Sequence, residues 1–269
     1  MPDHASPTVA RLREDSTYYG GGPSQLFHLG RVDTDGDDTV GTMTTGPWCL
    51  APSGAPAAGA PGVFVDEAFG YGANRWRADG HWSVTTHCHI TFHQRVPSDG
   101  SVLSARALTS PPVGRNAHGG GEITDPNGLP VATVSQWVRF FPTTDELTPR
   151  GLDEALPTAL QPADLVRIVD ETTIEVLPHR ALTNPAGILH GGISMWACEL
   201  AAAHLAATTG DRLAASLDVT FLAPLSAEHG ASFTATPQHV GRGVASFEVL
   251  GRDHDGRVGV RATAMYHAP

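Results

Sequence analysis

A short polar loop in the second half of the chain has the composition of a site that stabilises negative charge. The stretch NPAGILHGG runs from Asn184 to Gly192, and an alanine-rich apolar segment follows it. If that segment is a helix, its first turn supplies backbone N–H groups without acceptors and about half a positive charge. Glycine allows close approach to the backbone, so Gly191 and Gly192 are the predicted donors to an oxyanion formed at a carbonyl group.

Two side chains of this loop, and one acid that follows it, are further candidates for the same site. Asn184 can donate to the same carbonyl oxygen or to an attacking water, and His190 is interpreted as ordering the loop rather than acting as a base. Glu199 lies nine residues after His190, which on one helix is roughly 13 Å along the axis. It cannot reach a carbonyl held at the start of its own helix. The acid must therefore come from a neighbouring helix that runs the opposite way.

An internal repeat supplies such a helix. The stretch HITFHQRVPSDGSVLSARA (89–107) matches DVTFLAPLSAEHGASFTAT (218–236) in its alternating strands and in its turn ending at glycine. Upstream, residues 62–76 and 194–208 both have the composition of helices. A gapless alignment of the helical segments places Asp66 on Glu199.

The same alignment shows that the first copy of the polar loop has lost its functional side chains. Ala51 falls on Asn184, Ala57 falls on His190 and Ala58 falls on Gly191. The first half therefore keeps the acid Asp66 but not the polar side chains of the loop, whereas the second half keeps the complete loop.

The repeat predicts four segments and an α+β fold in which each half has a strand, a loop, a helix and then three or four antiparallel strands. Residues 1–24 are predicted to be an N-terminal arm. The first unit spans 25–142 and the second spans 172–269. Residues 143–171 are acidic, contain proline and fit neither repeat, so they are interpreted as the connection.

The pattern N-x-x-G-x-x-H-G-G followed by an acid resembles the PaaI-type acyl-CoA thioesterases, which have the hotdog fold. The residues that carry it are Asn184, Gly187, His190, Gly191, Gly192 and Glu199. The resemblance covers roughly residues 30–142 and 172–267, and the first half is similar in layout only. It implies a double hotdog: two central helices, each wrapped by a curved antiparallel sheet, with sites between the units.

In that family the active sites lie between paired units, which implies one composite site in this chain. Asn184 and Gly191 come from the second half, whereas Asp66 and Thr85 come from the first. Thr85 matches a position where related enzymes often carry Ser or Thr beside the acid, and the second half has Ala214 there.

Two assignments within this expectation stay open. Glu199 would face an alanine loop, so its site is expected to be inactive or structural. Glu67 could be the working carboxylate in place of Asp66 if the register slips by one.

The activity implied by the resemblance is hydrolysis of an acyl thioester by water, on coenzyme A or an acyl carrier, without a cofactor. Asp66 would act as a general base with Thr85 positioning the water, or would attack directly to give a mixed anhydride. The alternatives are a non-catalytic acyl-binding or regulatory protein and, with less support, a hotdog hydratase or dehydratase.

Composition limits the remaining classes of function. The net charge of −11 and the absence of a basic stripe argue against nucleic acid binding. No apolar run approaches the roughly 20 residues of a membrane span, and the N-terminus has no apolar signal region. Three scattered cysteines favour a reducing cytoplasm. Association of double hotdogs into homo-oligomers is expected from family analogy alone.

A metal site is not expected. Three histidines, His87, His89 and His93, share one face of a predicted strand. No carboxylate or cysteine has suitable spacing to join them.

Overall fold

Two long helices packed against one sheet make up most of the described chain. The structure, a computed structural model, describes residues 22–78, 80–143, 156–184 and 186–269. The helices are α1 (Pro23–Leu26), α2 (Ala60–Asn74) and α3 (Gly191–Ala207). Most of the predicted arm and the first part of the predicted connection lie outside the described residues.

The strands of both halves join into a single antiparallel sheet. Those of the first half are β1 (Asp33–Asp35), β2 (Asp38–Thr44), β3 (His81–Phe92), β4 (Val102–Thr109), β5 (Asn116–Thr124) and β6 (Pro130–Pro142). Those of the second half are β7 (Val166–Ile168), β8 (Thr173–Val176), β9 (Leu213–Phe221), β10 (Ala231–Val240), β11 (Val244–Arg252) and β12 (Val258–His267). The predicted α+β double hotdog is confirmed.

The strand order repeats with two-fold pseudosymmetry. It runs β1-β2-β4-β5-β6-β3 and then β9-β12-β11-β10-β8-β7, so each strand of one half has an equivalent in the other. The halves meet where β3 pairs with β9, from His87 opposite Thr220 to Thr91 opposite Ser216. One continuous sheet therefore wraps both helices.

Glycines at the helix crossing bring α2 and α3 into close antiparallel contact. A Cβ atom on Gly192 would lie 2.5 Å from Val63 Cα, and one on Gly59 would lie 2.8 Å from the carbonyl oxygen of Trp196. Gly59 and Gly192 are equivalent positions in the gapless alignment. The backbones can approach this closely only without side chains there, which brings the middle of each helix to the start of the other.

Both helices begin earlier than the sequence pattern indicated. The pattern placed their starts near residues 62 and 194, whereas α2 begins at Ala60 and α3 begins at Gly191. Pro61 fits the first turn of α2, because the N–H that proline lacks has no acceptor there. Almost all side chains of α3 are buried, as expected for a helix covered by a sheet on one side and by a second helix on another.

The described part of the predicted connection contributes an edge strand and contacts α1. After a 3-10 helix at Pro162–Leu165, β7 pairs with β8 at one end of the sheet. The Leu156 N–H donates to Gln25 Oε1 at 3.1 Å. The boundaries assigned to the four segments remain predictions.

Candidate active site

The loop before α3 is folded by the side chain of Asn184. Its Oδ1 accepts the backbone N–H groups of Ala186 at 2.9 Å and Ile188 at 3.3 Å. The Gly187 N–H donates to the Asn184 carbonyl oxygen at 2.9 Å, and Gly187 has a positive φ of 76°. Since the side-chain oxygen is used within the turn, the two N–H donors of the amide are the part of Asn184 left for a ligand.

His190 caps the N-terminus of α3. Its Nδ1 accepts the Gly192 N–H at 3.1 Å, which satisfies one of the donors left open in the first turn. The role predicted for His190, ordering of the loop, stays a prediction. In this geometry His190 would order the loop by accepting the Gly192 N–H. Gly191 is the first residue of α3, so the helix itself provides no acceptor for its N–H.

The carboxylate of Asp66, from α2 of the first half, lies at this helix start. Its Oδ2 accepts the Gly192 N–H at 2.8 Å, and its Oδ1 accepts the hydroxyl of Thr85 at 2.7 Å. The Asp66 side chain is 11% exposed. The structure thus brings together the acid of one half and the loop of the other.

Gly191 and Gly192 contribute differently to this arrangement. The sequence predicted that both N–H groups are oxyanion donors, but the Gly192 N–H is shared between Asp66 and His190. Gly191 borders the cavity, and the start of the helix offers its N–H no acceptor. A Cβ atom at Gly191 would lie 2.6 Å from Asp66 Oδ2, so glycine is needed here for the carboxylate to approach.

Glu67 faces the other side of His190. Its Oε1 lies 3.0 Å from His190 Nε2 and accepts the hydroxyl of Ser24 at 3.0 Å. Burial lowers the pKa of the His190 imidazole, whereas the carboxylates of Glu67 and Asp66 raise it, and the net shift is upward from its usual value. Both Asp66 and Glu67 border the cavity, but only Asp66 contacts the start of α3 directly. The choice between the two carboxylates stays a prediction.

Gln136 is a member of the site that the sequence analysis did not identify. It is fully buried in β6, and its Nε2 donates to Thr85 Oγ1 and, at 3.4 Å, to Asp66 Oδ1. A signal for it exists in the sequence, since the period of two in VATVSQWVRFF places Gln136 on the inward face with Val134 and Val138.

A cavity of about 330 Å³ opens beside these groups. Asp66 and Thr85 border it from the first half, and Asn184, His190 and Gly191 border it from the second. Its apolar walls include Tyr71, Trp82, Val138, Ile188, Phe221 and Leu225. A cavity with apolar walls and a few convergent polar groups is typical of a site for a mainly apolar ligand.

The pseudosymmetric place in the other half is closed. Glu199 is 1% exposed, and its Oε1 accepts the hydroxyl of Tyr266 at 2.9 Å. Burial raises the pKa of Glu199 to about 7, although Tyr266 and the backbone N–H groups of Ala58 and Gly59 act in the opposite direction. Glu199 thus faces the start of α2, as Asp66 faces the start of α3, but its side chain is buried against Tyr266.

The strand histidines lie on the outer face of the sheet, away from the cavity. His87 Nε2 is 3.2 Å and His89 Nδ1 is 3.1 Å from Asp218 Oδ2, across the β3–β9 junction. Sequence spacing missed this carboxylate because the pairing of β3 with β9 brings it there. Within the described ranges, no group of three or more His, Cys, Asp or Glu side chains is arranged to hold a metal ion.

Comparison with known proteins identifies the fold. Residues 186–260 match the model of the thioesterase superfamily. An acyl-CoA thioesterase II from Mycobacterium marinum superimposes with a TM-score of 0.61 and 12% identity, covering 92% of this chain and 96% of that one. No curated protein sequence matches the chain.

Two acyl carrier protein thioesterases are also similar in structure. The 12:0-ACP thioesterase from Umbellularia californica has a TM-score of 0.60 and 10% identity, covering 86% of this chain and 94% of that one. An acyl-ACP thioesterase from Bacteroides thetaiotaomicron has a TM-score of 0.56 and 10% identity, covering 86% and 98%. The chain thus has the double-hotdog fold of these enzymes. No helix in its described part has the length and apolarity needed to cross a membrane.

Proposed function

We propose that this protein hydrolyses acyl-CoA thioesters with water at one composite site between its two hotdog units. The observation that carries the proposal is the hydrogen bond from the Gly192 N–H of the second unit to Asp66 Oδ2 of the first, at 2.8 Å. It puts a carboxylate next to the N-terminus of a helix inside a cavity bordered by both units. A base beside an anion-stabilising helix start is what addition of water to a carbonyl carbon requires.

The thioester carbonyl would be held at the start of α3. Gly191 and Asn184 both border the cavity, and the N–H of Gly191 and the Nδ2 of Asn184 would donate to the carbonyl oxygen. As water adds, that oxygen becomes an oxyanion, and the positive end of the helix dipole stabilises it. Because these donors are fixed before the reaction, little reorganisation is needed in the transition state.

Asp66 would act as the general base. It takes one proton from a water molecule as the water oxygen bonds to the thioester carbon, which gives a tetrahedral oxyanion. Collapse of this intermediate re-forms the carbonyl and breaks the carbon–sulfur bond, and the thiolate recovers the proton from Asp66. The hydrogen bonds that Thr85 and Gln136 direct at Oδ1 keep the carboxylate in one rotamer through both steps.

Direct attack by Asp66 on the thioester carbon remains the alternative mechanism. It would expel the thiolate and leave an acyl–Asp66 anhydride, which water then hydrolyses. Mass spectrometry of protein quenched during turnover separates the two. An acyl group on the peptide containing Asp66 would show the anhydride, and unmodified peptide at all times supports the general base.

The walls of the cavity and the structural relatives support a thioester substrate. The names of those relatives specify acyl-CoA in one case and acyl carrier protein in two. The apolar walls suit an acyl group. Coenzyme A and carrier protein share the phosphopantetheine thioester, so the same panel of acyl groups should be tested on both.

An acyl-binding protein without turnover is the second candidate. The specific observation in its favour is that both oxygens of Asp66 already accept hydrogen bonds within the protein. A hydratase has no comparable support.

Thiol release from a panel of acyl-CoA substrates tests the proposal directly. If the protein is a thioesterase, it releases thiol catalytically, and Asp66→Asn abolishes this release. Tight binding of the same thioesters by calorimetry, with no thiol released by the wild type, would establish the acyl-binding alternative instead.

A further inference from the structure

A buried carboxylate next to the proposed base fixes the orientation of His190. Glu67 is 5% exposed and His190 is 7% exposed, and 3.0 Å separates Glu67 Oε1 from His190 Nε2. The Ser24 hydroxyl, from the segment that forms α1, donates to the same oxygen. An ionised carboxylate only accepts hydrogen bonds, so Nε2 must carry the proton.

This tautomer decides what the other ring nitrogen can do. With the proton on Nε2, Nδ1 of the neutral ring is an acceptor, and it takes the Gly192 N–H at 3.1 Å. The opposite tautomer would point an N–H at the N–H of Gly192. It would remove one of the two acceptors that hold the first turn of α3.

We infer that Glu67 is a positioning residue of the composite site, acting through His190 on the Gly192 N–H and on Asp66. This inference rests on the proposed function and deepens it. Glu67 does not touch the substrate in this account. It keeps the imidazole in the Nε2–H form. Nδ1 then accepts the Gly192 N–H, and the start of α3 keeps its position relative to the carboxylate of Asp66.

The geometry also predicts how the site responds to acid. Among the described residues, the charged groups that face the ring are Glu67 and Asp66, both from α2, and α1 adds only the neutral Ser24. A protonated ring no longer accepts at Nδ1 and instead donates towards Asp66 Oδ2, 3.4 Å away. That contact stabilises the anion of Asp66 and weakens it as a base, so activity should fall as the pH drops through the pKa of His190.

Two near-isosteric variants separate charge from geometry. Glu67→Gln keeps an oxygen that accepts from Nε2 but removes the charge that raises the pKa of His190. Its acidic limb of kcat should move to lower pH. Glu67→Met removes the acceptor as well, and should lower kcat about tenfold or more with little change in KM. Glu199→Gln is the matched control, because it also exchanges a buried glutamate for glutamine but at the pseudosymmetric, closed site. It should leave the acidic limb of the pH profile of kcat unchanged.

Imidazole nitrogen NMR gives a readout that does not depend on turnover. The wild type should show neutral His190 as the Nε2–H tautomer, and Glu67→Gln should titrate at lower pH. An acidic limb and a His190 titration that do not move in folded Glu67→Gln protein would overturn the inference. If the wild type released no thiol but the titration moved as expected, the proposed function would fail while the Glu67–His190 coupling stood.

Discussion

Asp66 and Gly192 belong to different halves of the chain, and the 2.8 Å hydrogen bond between them joins the halves at the start of α3. The bond exists because α2 and α3 cross in antiparallel fashion with glycines at the crossing. Its pseudosymmetric equivalent is the approach of Glu199 to Ala58 and Gly59. The fold thus builds the same acid-to-helix contact twice, and only one copy borders the large cavity.

The close approach of Asp66 to the backbone of Gly191 can be tested by adding a side chain at Gly191. In Gly191→Ala the new methyl group would meet Asp66 Oδ2 at 2.6 Å and push the carboxylate away from α3. We expect kcat to fall by about 10² or more, since the base and the oxyanion donor are misaligned together. Ala58→Gly makes the reverse change at the equivalent position of the closed half and should leave kcat nearly constant. Equal kcat in Gly191→Ala and the wild type would rule out this geometry.

Two variants separate the two functions proposed for Asn184, which are shaping the turn and donating to the oxyanion. Asn184→Asp keeps an oxygen for the turn that involves Ala186 and Ile188 but has no N–H donor, and Asn184→Ala lacks both. If the side chain donates to the oxyanion, both variants should lose about 10²–10³ in kcat, with substrate binding less affected. Steady-state kinetics of both variants checks this. A loss confined to the alanine variant would mean that Asn184 only shapes the loop.

Thr85 is expected to hold Asp66 through a single hydrogen bond. Thr85→Val preserves the shape of the side chain and removes the hydroxyl that donates to Asp66 Oδ1. We expect kcat to fall about tenfold, in line with the loss of a hydrogen bond to a charged group. Thr85→Ser restores a hydroxyl and should recover most of the rate. If serine is no better than valine, the methyl group rather than the hydroxyl matters.

Burial of Glu199 predicts a pH dependence of stability. Its pKa is raised from 4.5 to about 7 in the folded protein, so between these values the folded state holds a proton that the unfolded state has lost. Stability should therefore fall as the pH rises through this window, by up to about 3 kcal/mol from this group.

Glu199→Gln has no proton to lose and isolates this effect. The difference in the free energy of unfolding between wild type and variant, measured by denaturant titration from pH 4.5 to 8, should favour the variant increasingly and level off above about pH 7. A constant difference across the range would show that Glu199 is ionised throughout.

The sequence was informative where the two halves could be compared with each other. The aligned acids, the intact loop at Asn184 and the damaged loop at Ala51 led to the prediction that Asp66 meets the start of α3, and the contact with Gly192 has that geometry. Alignment worked because equivalent residues of a two-fold arrangement face each other's helices.

Other members of the site depend on contacts that no local pattern specifies. Gln136 could be placed on the inward face of its strand, but its contact with Thr85 requires β6 to lie beside β3. Ser24 lies in the segment predicted to be an arm, and its bond to Glu67 follows from packing of α1 against α2. Tyr266 closes the Glu199 site only because β12 lies over α3.

In the proposed function, a single composite site with Asp66 as its acid carries out the hydrolysis. The most direct test compares Asp66→Asn with Glu199→Gln, two near-isosteric changes at equivalent positions. Both proteins must first show native circular dichroism and cooperative unfolding, because a buried acid can be needed for folding. Thiol release from the best acyl-CoA substrate should be abolished in Asp66→Asn and largely retained in Glu199→Gln. Loss of activity in folded Glu199→Gln together with retained activity in Asp66→Asn would show that Glu199, and not Asp66, is the acid of the active site.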